Sequence, residues 1–240
     1  MARRICGIIL TMKYKCLIFD HDDTTVNSTA TIHYPAFVEY MQLRRPDVSC
    51  TLDEYVRYNF HPGVIEFFRD ICGLTKEEFE EEERFWSAYT KNHTAQAFPG
   101  IREIMERQKA AGGIITVASH SFADNILKDY RANQLPEPDA VFGWEQPADE
   151  RKPSPVPVQK IMERFSLGKE DILVIDDLKP GFDMARAAGV DFAAACWCFD
   201  IPENEAFMQE NADYCFRRVE DLAAVLYGSS IRAAIPNQIP

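Results

Sequence analysis

The sequence predicts an α/β protein, a parallel sheet covered on both faces by helices, with one long helical insertion. Three observations predict it. Short apolar runs end in polar or acidic residues, segments of helical period alternate with them, and the alternation lapses once, between Asn27 and Ala97. The first run is Lys15–Phe19, closed by Asp20. It is too short for a buried helix, and so are Ile114–Ala118 before Ser119, Ala140–Phe142, Ile172–Ile175 before Asp176, and Val190–Cys196. β-Branched residues dominate two of them, so strands are expected. Between them, the stretch from Ile101 to Lys109 carries apolar residues at 101, 104 and 105 and stops at Gly112-Gly113. Val156–Phe165 carries them at 158, 161, 162 and 165, and Phe182–Ala188 ends at Gly189, a natural residue just past a helix. Apolar strands joined by helices imply a parallel sheet buried on both sides.

From Asn27 to Ala97 the pattern is helical only. Thr75-Lys76-Glu77-Glu78 is a capping box. It opens a segment with Phe79, Trp86 and Tyr89 on one face and Glu80–Glu83 on another, expected to be a solvated face. The expected organisation is a core of residues 13–26 and 98–228, an inserted helical cap at 27–97, and terminal extensions at 1–12 and 229–240.

The 240 residues include 26 basic and 38 acidic side chains, a net charge of −12. That sign argues against nucleic acid or an anionic membrane as partner, since both need a basic footprint. An apolar content of 46% excludes disorder for the bulk of the chain. Seven scattered cysteines show no C-x-x-C pair and no zinc spacing, which fits thiols in a reducing compartment. No apolar run is long enough for a signal-peptide core or a membrane span, so a cytoplasmic location is expected.

In an open parallel sheet the ligand site lies beyond the carboxyl ends of the strands. The runs deliver Asp20, Asp22, Thr24, Ser119, Asp176 and Asp177 to that edge. Unit charges about 4 Å apart at an effective dielectric near 20 repel by roughly 4 kcal/mol. A hard divalent cation with oxygen ligands, most simply Mg²⁺, resolves the crowding.

Phe19-Asp20-His21-Asp22-Asp23-Thr24 resembles the first motif of the haloacid dehalogenase-like hydrolases, a strand followed by D-x-D-x-T. Thr116-Val117-Ala118-Ser119 resembles their second motif and Arg151-Lys152-Pro153 their third. Ile175-Asp176-Asp177-Leu178-Lys179-Pro180-Gly181 resembles the fourth. Phe98-Pro99-Gly100 resembles the return from the cap, and Ala212-Asp213-Tyr214 the final core strand. The resemblance spans about residues 13 to 228, in the branch of phosphoglycolate phosphatase and β-phosphoglucomutase. It implies a Rossmann-like parallel-sheet core with an inserted helical cap.

The resemblance also implies roles. Asp20 is the expected nucleophile, forming an aspartyl-phosphate. Asp22 is the expected acid and base, with a carboxyl raised by the crowding of like charges. Thr24, Ser119 and Lys152 are expected at the phosphate. Asp20, the Asp22 carbonyl and Asp177 are expected to hold Mg²⁺, with Asp176 the alternative ligand. The implied activity is Mg²⁺-dependent hydrolysis of a small phosphorylated metabolite, with a sugar phosphomutase as the alternative. A receiver-type signalling module fits less well, because its acidic pair closes the first strand and its phosphorylated Asp comes from a later one. Asp23 stands where the family usually has Gly, His120 where Asn is usual, and Thr25 where an apolar residue is usual. His33 falls one residue late for a cap-entry histidine. Arg57, His61 and Lys91 are read as surface charges, with contact to an anionic substrate as the alternative.

Overall fold

A computed structural model describes residues 12–228, so the expected extensions lie, Met12 apart, outside the described residues. In chain order the strands are β1 (Cys16–Phe19), β2 (Val26–Asn27), β3 (Gln96–Ala97), β4 (Ile114–Ala118), β5 (Ala140–Phe142), β6 (Ile172–Asp176), β7 (Asp191–Ala195) and β8 (Tyr214–Phe216). Six of them form one parallel sheet in the order β5-β4-β1-β6-β7-β8. β2 and β3 form a separate antiparallel ribbon, Val26 opposite Ala97. The last core strand starts at Tyr214, later than the resemblance implied, with Ala212 and Asp213 leading into it.

The register explains what the sheet edge carries. Phe19 lies between Val117 of β4 and Ile175 of β6. The next residue along β1 is therefore Asp20, level with Asp176 on one side and one step short of Ser119 on the other.

The helices are α1 (Tyr34–Arg44), α2 (Leu52–Phe60), α3 (Val64–Glu66), α4 (Lys76–Lys91), α5 (Ile101–Ala110), α6 (Ala123–Ala132), α7 (Val156–Phe165), α8 (Lys179–Ala188), α9 (Pro202–Asn211) and α10 (Val219–Tyr227). Alternate residues of a strand face opposite ways. Accordingly Leu17, Phe19, Leu173 and Ile175 pack against α5, α6 and α10, while Cys16, Ile18, Ile172 and Val174 pack against α7, α8 and α9. The helices between β2 and β3 have a core of their own, in which Phe37 packs 5.2 Å from Tyr55 and 5.4 Å from Phe67, ring centre to ring centre. Two wide turns, Thr29–His33 and Phe67–Ile71, carry bonds five residues apart, His33 N–H to the Ser28 carbonyl and Cys72 N–H to that of Phe67. Thr75 caps α4 as its motif predicts, accepting from Glu78 N–H while Glu78 accepts from Thr75 N–H. The six described cysteines are free thiols. Among the described residues no helix is long and apolar enough to cross a membrane.

One buried amide clips the start of β1 to the helices behind it. Gln108 on α5 donates from Nε2 to the carbonyls of Tyr14 (3.0 Å) and Lys15 (3.2 Å), and accepts from the Tyr227 hydroxyl on α10. Gln108→Leu keeps the bulk and removes every donor. It should lower stability by about 1–3 kcal/mol, seen as a lower urea midpoint with an unchanged slope. An unchanged midpoint would show that the clip carries no weight.

Candidate active site

β1, β4 and β6 are the central neighbours of the sheet, and their carboxyl ends meet. Asp20 follows β1, Ser119 follows β4, Asp176 ends β6 and Asp177 comes next. Lys152, 8% exposed, reaches in from the loop between β5 and α7. Its Nζ donates to Asp20 Oδ1 at 2.7 Å and to Asp176 Oδ2 at 2.6 Å. The other Asp176 oxygen accepts from Leu178 N–H at 2.8 Å. The first turn of α8 backs directly onto this carboxylate, and a Cβ at Gly181 would fall 2.1 Å from Asp176 Oδ2. Only glycine allows that approach.

Asp20, Asp176 and Asp177 each place a carboxylate oxygen within 4.8 Å of the other two. Burial pushes the Asp20 carboxyl up to about 7; Lys152 opposes this, while Asp176 and Asp22 add to it. Burial, then Asp176, Asp23 and Asp20, raise Asp177 well above the carboxylate range. Burial alone would lower Lys152, but Asp176 and Asp20 hold its ammonium above the usual lysine value. Three carboxylates against one ammonium leave charge uncompensated, and hard oxygens ready to be shared. The donor set fits a divalent cation such as Mg²⁺. Asp177 also lines the adjoining cleft, whereas Asp176 lies behind it.

Asp22 corrects an expectation. Its carboxyl is not part of that cluster: Oδ1 accepts from His33 Nε2 (2.8 Å) and Ser28 Oγ (2.7 Å), and Oδ2 from Ser121 Oγ (2.6 Å). Burial pushes this acid up, yet His33, His21 and Ser121 more than offset it and hold the carboxyl well below its ordinary range. The crowding foreseen from the sequence falls on Asp20 and Asp177 instead. Trp86 Nε1 donates to His33 Nδ1 at 2.8 Å, so that nitrogen keeps its lone pair and the network assigns the ring proton to Nε2.

Thr24, expected at the phosphate, is fully buried, stands off the cleft wall, and donates from Oγ1 to Asp177 Oδ1 at 3.1 Å. Ser119 does line the cleft, accepting from Ser121 N–H at 3.1 Å. His120 packs edge-on to Trp144 and donates from Nε2 to the Lys152 carbonyl at 3.0 Å, and burial followed by Lys152 pushes it down to about 3. Asp23, in the usual glycine place, has φ 57 and accepts from the N–H groups of Ser28 and Thr29, tying the loop to the insertion. Asp tolerates that left-handed backbone better than most residues. The Thr25 hydroxyl donates to the Asp20 carbonyl at 2.6 Å.

A cleft of about 910 Å³, counting the part open to solvent, lies between this edge and the inserted helices. Phe79, Glu82, Glu83 and Trp86 of α4 line it together. Their spacing is that of one helix face, so the Glu80–Glu83 run is not wholly solvated: Glu82 is 6% exposed. The helical period was the signal that could have found it. Nothing in the sequence marked Ser121 or Trp144. Arg57, His61 and Lys91 are absent from the cleft wall.

The family model described as haloacid dehalogenase-like hydrolase matches residues 17–195. A phosphoglycolate phosphatase of Aquifex aeolicus is 25% identical over 189 residues, 76% of this chain and 85% of that one. Another, of Mannheimia succiniciproducens, is 22% identical over 232 residues, 90% of this chain and 100% of the other. Among solved structures, a haloacid dehalogenase-like family hydrolase from Streptococcus pneumoniae superposes with a TM-score of 0.71 at 20% identity, covering 89% of this chain and 98% of that one, which shows the shared fold. With three quarters of its length matched and the acidic edge in place, the chain belongs to the haloacid dehalogenase-like hydrolases.

Proposed function

We propose that the chain is a Mg²⁺-dependent phosphatase that hydrolyses a small phosphorylated metabolite through an aspartyl-phosphate on Asp20, with residues 27–97 acting as a cap over the site. The observation that carries this reading is the placement of Asp20. It borders a cleft, beside a buried ammonium and two further carboxylates, with Asp22 on the same wall. Curated relatives bearing the name phosphoglycolate phosphatase support it.

In the first step an Asp20 oxygen attacks phosphorus, the ester P–O bond breaks, and the leaving oxygen takes a proton from Asp22. In the second, water attacks the same phosphorus, Asp22 takes its proton, and Asp20 and inorganic phosphate are regenerated. Asp22 rests ionised, which suits the second step. A phosphate arriving beside it adds negative charge and drives it towards the protonated form that the first step needs. Ser119 donates to a phosphoryl oxygen, and Lys152 supplies positive charge where the transferring group is most negative. Asp20, Asp177 and the Asp22 carbonyl would hold Mg²⁺, with Asp176 behind them; when bound it offsets the repulsion between phosphate and nucleophile. Among the described residues the cleft wall offers no second ammonium or guanidinium for another phosphate, which favours a hydrolase over a bisphosphate-dependent mutase.

General acid–base help is worth roughly 10² to 10⁴ in rate. With an aryl phosphate, whose leaving group needs no proton, Asp22→Asn should therefore release about one equivalent of phenol per site and then nearly stop. Its mass should rise by one phosphoryl group mapped to Asp20, while Asp20→Asn shows neither burst nor label. A label on another residue, or unchanged turnover in Asp22→Asn, would reverse these assignments.

Mg²⁺ at 100 times its Kd should stabilise the fold by about 2.7 kcal/mol, a rise of several degrees in Tm. Asp177→Asn should lose most of that rise while leaving the metal-free protein no less stable, because a repulsive charge has gone. Equal Mg²⁺ shifts in both proteins would remove Asp177 from the ligand set.

His33→Leu takes from Asp22 the donor that most favours its ionised form, so the Asp22 carboxyl should rise. The acid limb of the kcat profile should then move to higher pH. A profile that keeps its acid limb would show that His33 has no hold on the base.

A further inference from the structure

The cleft has two unlike ends. Towards the sheet it presents Asp20, Ser119 and Lys152. Away from it the wall is aromatic and acidic, with Tyr55, Phe68, Phe79, Trp86 and Trp144 beside Glu82 and Glu83. Among the described residues that line it, the only ammonium or guanidinium is that of Lys152, already committed to Asp20 and Asp176. Arg151 stacks over Trp144 at 4.0 Å and donates to the Gln146 carbonyl, but it is not part of the wall. Arg57, the nearest cation of α2, pairs with Glu203.

Glu83 accepts from Trp144 Nε1. Glu82 is nine-tenths buried, faces the cleft, and makes no hydrogen bond or ion pair within the described residues. Burial, helped by Glu83, pushes its carboxyl up to about 8. A largely buried acid with no protein partner, its carboxyl opening onto the cleft, marks a place where a ligand completes it. An anionic leaving group would meet two acids and no free cation there. A neutral apolar group would leave Glu82 unanswered, and a polyhydroxylated one would find mostly rings. A cation satisfies both features, since it favours the ionised form of Glu82, pairs with that carboxylate and is drawn to aromatic faces.

We propose that the substrate's leaving group ends in an alkylammonium, seated among the aromatic rings of the cleft and against Glu82. The assignment rests on the phosphatase reading above. The reaction then yields an amino alcohol and inorganic phosphate, with water supplying the oxygen and protons of hydrolysis.

The test compares kcat/KM on the full chain with Mg²⁺ for phosphocholine, for 3,3-dimethylbutyl phosphate (its uncharged carbon isostere) and for phosphoglycolate. An aryl phosphate gauges the chemistry alone. Phosphocholine should exceed its isostere by roughly tenfold, in keeping with a desolvated cation among rings, and should exceed phosphoglycolate by more. Glu82→Gln should narrow the gap between phosphocholine and its isostere. If the wild type turns over aryl phosphate but treats phosphocholine no better than the isostere, or prefers phosphoglycolate, the alkylammonium assignment is overturned and the phosphatase reading stands. If aryl phosphate is not hydrolysed either, the phosphatase reading fails and this assignment fails with it.

Discussion

The Lys152 ammonium between Asp20 and Asp176 is the contact on which the rest of the site depends. The sheet register sets these two acids level on adjacent strands, which run about 4.8 Å apart. Both are nearly sealed from water, where like charges interact most strongly. One ammonium answers both, and a charge pair so buried is tolerable only with further hydrogen bonds. Leu178 N–H supplies one of these, and Gly181 lets the helix come close enough to deliver it. Among the described residues Asp177 is left with only the Thr24 hydroxyl. The resting centre is thus short of positive charge on the side that faces the cleft.

The inserted helices reach the Asp22 carboxyl as well as forming part of the wall. Asp22 belongs to the loop after β1, but His33, which turns it, lies just before α1, and Trp86, which orients His33, lies on α4. Trp86 also lines the cleft. The same indole therefore meets whatever fills the cleft and sets the ring that holds Asp22. Asp23 adds a second tie through its bonds to the N–H groups that open the insertion.

Much of this was legible in the chain. Strands were visible because each apolar run is short and stops at a polar group, and Asp20, Ser119, Asp176 and Asp177 are those stops. The α4 boundary was visible because Thr75 and Glu78 satisfy each other's backbone. What stayed hidden depends on partners far away in sequence. The state of Asp22 is set by residues 11 and 99 positions on, which no local spacing reveals. Thr24 lies close to several possible acceptors, and only the fold chooses Asp177. Glu82 was hidden differently. A run of four glutamates looks uniform in a line, yet the helical turn sends Glu82 and Glu83 inward beside Phe79 and Trp86.

The β2–β3 ribbon carries a consequence for how such a protein can diversify. The chain leaves the sheet and returns to it on paired strands, with Val26 opposite Ala97. The two ends of the insertion are therefore only about 5 Å apart. A gene segment encoding any other helical unit with neighbouring termini could be spliced in at that point without disturbing β1, β4 or β6. Selectivity and bond-breaking would then be inherited as separable cassettes, joined at a seam two residue pairs long. A transplanted unit would need to bring its own substitutes for Ser28, His33 and Trp86, which together hold Asp22.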